Sequence, residues 1–330
     1  MSATRRVVAL FRKASYSPNQ HRTNDTAILE ETLARIVARG WTASRLDETE
    51  IEAAIDRDTG LVRSELIPPA ELYLNMCQGA RASVALHKLE SSGACVLNPP
   101  SSVLACHRHR LVPAMHAAGV PFPDTLILEC HPEPSSSASR SRKPRSLVAD
   151  APRDNIVRAA LEAGEPIWIK RGDVHAERTE DVVAVPATDV VRAIDVFRAR
   201  GITRISLQRH VTGPVVKFYG TADGRFFRFY DASAGPNGAT PTVDVERLRA
   251  IAFAAAAAVG VFIFGGDAVI RSPNDPVLID LNDWPSFAPF RDAAADHIAE
   301  FALARAQQHS HQQQIQRPYA LRDDTATLVQ

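Results

Sequence analysis

The stretch Phe262-Ile263-Phe264-Gly265-Gly266-Asp267-Ala268-Val269-Ile270, followed closely by Pro276-Val277-Leu278-Ile279-Asp280-Leu281-Asn282, decides how this chain is read. Both segments are short apolar runs of strand character, and Ser272-Pro273-Asn274-Asp275 between them is turn chemistry. Folding back about the Pro273/Asn274 midpoint sets Asp267 directly opposite Asp280. The two-residue strand period puts Asn282 on the same face, provided no bulge shifts the register. Opposed side chains in an antiparallel pair have Cβ atoms roughly 5 Å apart. Two carboxylates at that separation repel by about 3 kcal/mol at an effective dielectric near 20, so a positive partner is expected between them. Two carboxylates and an amide oxygen on an apolar hairpin form a hard-oxygen set suited to a magnesium ion that also holds nucleotide phosphates. On these residues alone the blander reading stays open, with Asp280 capping a turn and Asp267 following a Gly-Gly loop.

At 330 residues the chain exceeds what one hydrophobic core usually organises, and two or three subdomains are expected. Its 38 Lys and Arg balance 38 Asp and Glu, so no global field draws nucleic acid or an anionic membrane, and any anion site must be local. The apolar stretch around 251–264 contains Gly260 and reads as an Ala-rich helix running into a strand rather than a membrane span. The apolar run Val7 to Phe11 is too short for a secretory signal. Cys77, Cys95, Cys106 and Cys130 show no CxxC spacing, which suggests neither a zinc site nor a disulfide framework and fits a reducing cytoplasm.

The N-terminal third alternates strand and helix signals: a strand at 7–11, a helix over 26–39 closed by Gly40, a helix over 80–91, and a strand at 95–97. Pro113 is tolerated in a first turn, so the next helix is placed from about Arg110. Thr125 to Glu129 reads as a strand. Residues 131–152 turn abruptly to Ser, Pro and Arg, a low-complexity insertion with a basic run at Arg140, Arg142, Lys143 and Arg145. Beyond it come a helix ended by Gly164, strands at 167–170 and 182–185, a helix over 187–199, and strands at 205–208, 215–220 and 226–230. Asp223-Gly224 joins the last two. A helix over 244–259 precedes the acidic hairpin, a final helix runs from about Asp292 to Gln308, and the Gln-rich remainder, with His309 and His311, reads as solvated tail.

The continuation Asp280-Leu281-Asn282-Asp283-Trp284-Pro285-Ser286-Phe287 resembles the last strand of ATP-grasp enzymes, where an acidic residue, a spacer and an Asn supply magnesium ligands and a Pro-containing loop follows. The order of elements is similar too, over about residues 90 to 305. The resemblance implies an α/β (α+β) chain with an N-terminal α/β domain over 1–105 and a central lid subdomain over 106–205. A C-terminal antiparallel-sheet subdomain with the metal site would follow over 206–308, then a flexible tail over 309–330. Asn98-Pro99-Pro100 and Gly119 to Pro123 resemble the entry segment of the branch containing glutathione synthetases and glutamate-adding ligases.

That resemblance implies roles for particular residues. Arg108, with Arg110 nearby, stands where relatives carry a phosphate-binding Lys. Lys170 ends an apolar strand, where a buried cation calls for an anion, and corresponds to a Lys that contacts ATP phosphates. The loop Arg171 to Ala176 would be the flap over the triphosphate. It is poorer in Gly than usual, and its His175 resembles a phosphate-contacting His of inositol phosphate kinases. Gln208 and the backbone of Val211 would receive adenine, while Arg209 stands where a Glu is common. Lys217 and Arg228 are the candidate catalytic cations, aimed at substrate or at charge developing in transfer. Asp267, Asp280 and Asn282 are the candidate metal ligands, and Asp283 to Phe290 a wall for substrate. The implied activity is an ATP- and Mg2+-dependent, ADP-forming carboxylate–amine ligase working through an acyl phosphate. Its partners would be small-molecule carboxylates and amines, with no nucleic acid and no membrane. A homodimer is common among such proteins, although no interface is legible in the residues. Two alternatives remain: a small-molecule kinase of the inositol phosphate kind, and a nucleotide-binding module without turnover.

Overall fold

The computed structural model describes residues 5–17, 22–56, 59, 61–130, 151–174, 178–239 and 241–320. In chain order the first unit comprises β1 (Arg6–Phe11), α1 (Arg22–Ala38), β2 (Thr42–Asp47), α2 (Glu48–Ala53), β3 (Leu72–Asn75), α3 (Ala80–Ser91) and β4 (Val96–Leu97). Its strands form a parallel sheet in the order β2-β1-β3-β4. A parallel sheet with helices on both faces buries every residue of its inner strands, and Val7 to Leu10 are fully buried accordingly. Val7, Ala9, Leu72 and Leu74 pack on one side with Ile28, Leu29, Leu33 and Ile36 of α1. Val8, Leu10 and Tyr73 pack on the other with Ile51 of α2 and Ala82, Ala85 and Leu86 of α3.

Two helices, α4 (Pro100–Ala105) and α5 (Arg108–Ala117), lead to the central unit: β5 (Thr125–Glu129), α6 (Ala151–Ala163), β6 (Pro166–Arg171), β7 (Val182–Pro186), α7 (Val190–Ala199) and β8 (Arg204–Arg209). Its antiparallel sheet has the order β5-β8-β6-β7. Ile167, Ile169, Ile205 and Leu207 turn one face onto α6 and α7, against Ala160, Val190, Ile194 and Phe197. The third unit holds β9 (Val215–Thr221), β10 (Phe227–Asp231), α8 (Val245–Val259), β11 (Ile263–Ile270) and β12 (Pro276–Asp283), followed by α9 (Arg291–Ala320). Its sheet, β10-β9-β11-β12, is antiparallel as well. Val216, Phe218, Phe264, Ala268, Leu278 and Leu281 face α8 and α5. Asp244 caps α8 by accepting from the Arg247 N–H at 3.0 Å, and Gly260 ends it in the left-handed region at φ 70°.

Several expectations are corrected. Helix α5 starts at Arg108, so Pro113 lies inside the helix rather than in its first turn. Residues 309–320, expected as flexible tail, continue α9, and His309 Nε2 lies 3.0 Å from the Gly93 carbonyl. Strand β8 pairs with β5 and β6 along its length, so the boundary expected between 205 and 206 falls inside a strand of the central sheet. The insertion expected over 131–152 lies outside the described residues up to 150, and its last two residues open α6. Among the described residues no helix is long and apolar enough to cross a membrane.

Candidate active site between two sheets

The hairpin register begins at the turn, with Ile270 opposite Pro276, Val269 opposite Val277 and Ala268 opposite Leu278. Continued unbroken, it would set Asp267 against Ile279. A bulge at Ile279 intervenes, and Asp267 pairs with Asp280 instead, followed by Gly265 with Asn282. The bulge also explains how Leu278 and Leu281, three residues apart, enter the same core, since one extra residue reverses the alternation of a strand. Asp280 and Asn282 are thereby turned to the face carrying Asp267. Gly265 and Gly266 hold the ribbon close to its neighbours. A Cβ on Gly266 would lie 2.4 Å from the Asp280 carbonyl and 2.6 Å from the Phe218 ring, and one on Gly265 would lie 2.8 Å from the Phe218 carbonyl. The start of β11 is fixed by Asn98, whose Oδ1 accepts from the N–H groups of Phe262 and Ile263 at 3.0 and 2.9 Å, while its Nδ2 donates to the Ile263 carbonyl at 2.8 Å.

Strand β9 lies on the other side of β11 with Lys217 opposite Asp267. The Lys217 ammonium donates to Asp267 Oδ1 at 2.8 Å, and the Asp267 charge together with that hydrogen bond raises the Lys217 pKa despite partial burial. Arg108, buried at the first turn of α5, donates from Nη2 to Asp280 Oδ2 at 2.5 Å and from Nη1 to the Arg171 carbonyl at 3.0 Å. Each carboxylate of the facing pair therefore has its own cation. Lys170 is buried at the end of β6, on the face opposite Ile167 and Ile169, and donates to the carbonyl of the bulge residue Ile279 at 3.2 Å. Burial pulls its pKa down to about 8, with Asp280 and Asp267 opposing that shift and Arg108 adding to it.

The central and C-terminal sheets thus meet with five charged side chains between them. Gln208 is buried on the same face of the central sheet as Lys170, and Trp168 is its partner across β6. Val211 lies in the link from β8 to β9. Arg209 alternates to the opposite face, within 3.4 Å of Glu165 and 3.8 Å of Asp124, so it leaves the cleft to Gln208. Arg228 is opposite Tyr219 on the edge strand β10. It is exposed, lies over the Phe226 ring and donates to its neighbour's carbonyl. It shares the face of Lys217 but stands three strands away from Asn282. His175 lies outside the described residues. In the loop expected as a substrate wall, the side chains of Trp284 and Phe287 are buried in the core shared with α1 and α9, and Gln78 donates to the buried Asp283 carboxylate at 3.3 Å.

Residue-by-residue reading did not single out two contributors, His109 and Trp168, and it named a third, Asn98, only as part of the entry segment. His109 holds the Gly172 carbonyl with both its backbone N–H, at 3.0 Å, and its ring Nδ1, at 2.8 Å, tying α5 to the loop that follows Lys170. Burial lowers its pKa. Trp168 has the two-residue spacing from Lys170 that marks a shared strand face, a signal present in the sequence. Asn98 anchors the strand of the acidic hairpin across more than 160 residues, and such a contact has no local signature.

Two carboxylates and one amide oxygen fit a hard divalent cation that completes its shell with water and phosphate oxygens. Among the described residues no group of three or more His, Cys, Asp and Glu could hold a metal, so a metal here would rest on this acidic pair and Asn282. The arrangement of these three sheets is shared with solved structures over most of the chain. The chain has the ATP-grasp fold. The RimK domain ATP-grasp protein of Sphaerobacter thermophilus is similar to it with a TM-score of 0.61 at 19% identity, over 90% of this chain and 99% of its own. The D-alanine-D-alanine ligase of Coxiella burnetii matches with a TM-score of 0.66 at 14% identity, over 97% and 100%. The ATP-grasp ligase PsnB, solved with the precursor peptide PsnA2 and AMPPNP, matches with a TM-score of 0.55 at 15% identity, over 92% and 97%. No protein-family model matches the chain, and no curated protein matches it in sequence.

Proposed function

We propose that this chain is an ATP- and Mg2+-dependent ligase that joins a small carboxylate to an amine, forming ADP and phosphate through an acyl phosphate. The observation that carries this reading is the pair Asp267 and Asp280, set face to face by a bulge and surrounded by Lys170, Arg108 and Lys217 inside an ATP-grasp cleft. Asp267, Asp280 and Asn282 would hold Mg2+, which when bound supplies charge neutralisation at the β- and γ-phosphates. Lys170 and Arg108 would grip the phosphates. Gln208 and the backbone near Val211 would orient the base, leaving the triphosphate end toward the acids.

Lys217 lies on the strand beside Asp267, where it can draw the substrate carboxylate toward the γ-phosphorus. A carboxylate oxygen attacks that phosphorus as the bond to ADP breaks. The amine nitrogen then attacks the acyl carbon, loses a proton, and phosphate departs. Throughout, the protein contributes positioning and a preset electrostatic field rather than a covalent nucleophile. Arg228, if the loop beyond Tyr219 brings substrate to the sheet edge, would stabilise charge on the acceptor. The units suggested by the sheets run to about residue 105, from there to 209, and from 215 through α9.

The test is ATP turnover with pooled amino acids and small carboxylic acids. ADP and free phosphate should appear together, in amounts matching new amide. Phosphate retained on the acceptor would replace the ligase reading by a kinase, and inert mixtures across broad pools would leave a binding module.

A further inference from the structure

We propose that Arg108 and Lys217 act as a built-in charge gate on the metal site, so that the divalent cation enters only together with a nucleotide polyphosphate. This rests on the ligase reading of the cleft. The Asp280 carboxylate accepts from Arg108 at 2.5 Å and the Asp267 carboxylate from Lys217 at 2.8 Å, so each candidate carboxylate ligand already has a protein cation in contact. The two pairs differ in burial, with side-chain exposures of 7% and 12% for Arg108 and Asp280 against 43% and 22% for Lys217 and Asp267. Lys170 stands on the same cleft through the Ile279 carbonyl.

Two carboxylates against three cations leave the cleft with a formal charge of +1. A bare divalent ion must displace two ammonium or guanidinium contacts and then sit beside them unscreened. A polyphosphate changes the balance, because its oxygens accept the displaced Arg108 and Lys217 while the carboxylates turn to the metal. Arg108 is also hydrogen bonded to the Arg171 carbonyl. The guanidinium that would be exchanged therefore also holds the end of β6.

The experiment titrates Mn2+ into the full chain without nucleotide and counts the free ion by electron paramagnetic resonance. The wild-type protein should leave the free-ion signal unchanged up to millimolar metal. Lys217→Met, at the half-exposed pair, should gain Mn2+ uptake at least about tenfold tighter, and adding Asp267→Asn should remove the gain. Arg108→Met should act in the same direction, with thermal unfolding reporting whether that buried substitution keeps the fold. Wild-type uptake equal to that of Lys217→Met, or no gain in that variant, overturns the gate. A second arm measures Mn2+-ADP binding to the wild-type chain by calorimetry. Its absence would overturn the ligase reading of the cleft, whereas Mn2+-ADP binding alongside free uptake of bare Mn2+ would overturn the gate alone.

Discussion

The sheet β10-β9-β11-β12 is packed on both sides. Phe218, Phe264 and Leu281 are buried against α8 and α5, and on the other face Tyr219 and Ile263 join the core shared with α1 and α9. The sheet β5-β8-β6-β7 is packed on one side, against α6 and α7, and its other face is the cleft. Among the described residues, polar links that tie it to the rest of the site include Lys170 to the Ile279 carbonyl, Arg108 to the Arg171 carbonyl and His109 to the Gly172 carbonyl. The two carboxylates therefore sit on the sheet that is packed on both faces. Lys170 sits on the sheet that is tied to the site by these hydrogen bonds. Two packed faces against one distinguish the two sheets.

The largest effect should come from the C-terminal sheet. Asp280→Asn keeps the side chain's shape but removes its charge, and turnover should fall about 10²–10³-fold. Steady-state kinetics at saturating ATP check this, and near-normal kcat would remove Asp280 from the site. Gly266→Ala places a Cβ 2.4 Å from the Asp280 carbonyl, and overpacking in so confined a ribbon should destabilise by about 3 kcal/mol. Urea unfolding measures it, and an unchanged midpoint would show that the hairpin is not held as tightly as its partner sheet demands.

Lys170→Met probes the central sheet. Nucleotide affinity should fall roughly tenfold, the loss of one charge-assisted contact. Stability near neutral pH should hold or rise, because a buried ammonium is removed. The folded pKa of Lys170, about 8, lies below its ordinary 10.5, so between these values the unfolded chain binds more protons and stability rises with pH. Lys170→Met should flatten that rise, and an unaltered profile from pH 8 to 10.5 would show that the cation is not buried as described. The smallest effect is expected at Gly172, where a Cβ would lie 3.1 Å from the Arg204 carbonyl. Gly172→Ala should cost about 1 kcal/mol, and a loss equal to that of Gly266→Ala would erase the contrast between the two sheets.

Much of the acidic hairpin was legible because a turn signal and a two-residue period are local. The facing of Asp267 and Asp280 does not follow from them alone, because the register set at the turn would oppose Asp267 to Ile279, and only the bulge at Ile279, which also lets Leu278 and Leu281 enter one core, brings Asp280 across. Strand β2 carries no apolar alternation, since Thr42–Asp47 is an edge strand with little buried surface, and it escaped notice. Helix α9 outruns its apolar pattern, and His309 near the Gly93 carbonyl shows a tertiary contact where composition suggested solvated tail. The positive partner expected between the two acids is present as two separate cations. Arg108 and Asp280 are 172 residues apart, a separation at which charge complementarity has no sequence signature.

Calorimetric titration of ADP into the wild-type chain, with Mg2+ and then with a chelator in its place, tests the acidic hairpin most directly. Binding should require the metal in the wild-type chain and should be lost in Asp267→Asn and Asp280→Asn with the fold intact. Equal binding with and without Mg2+, unaffected by either substitution, would contradict the account.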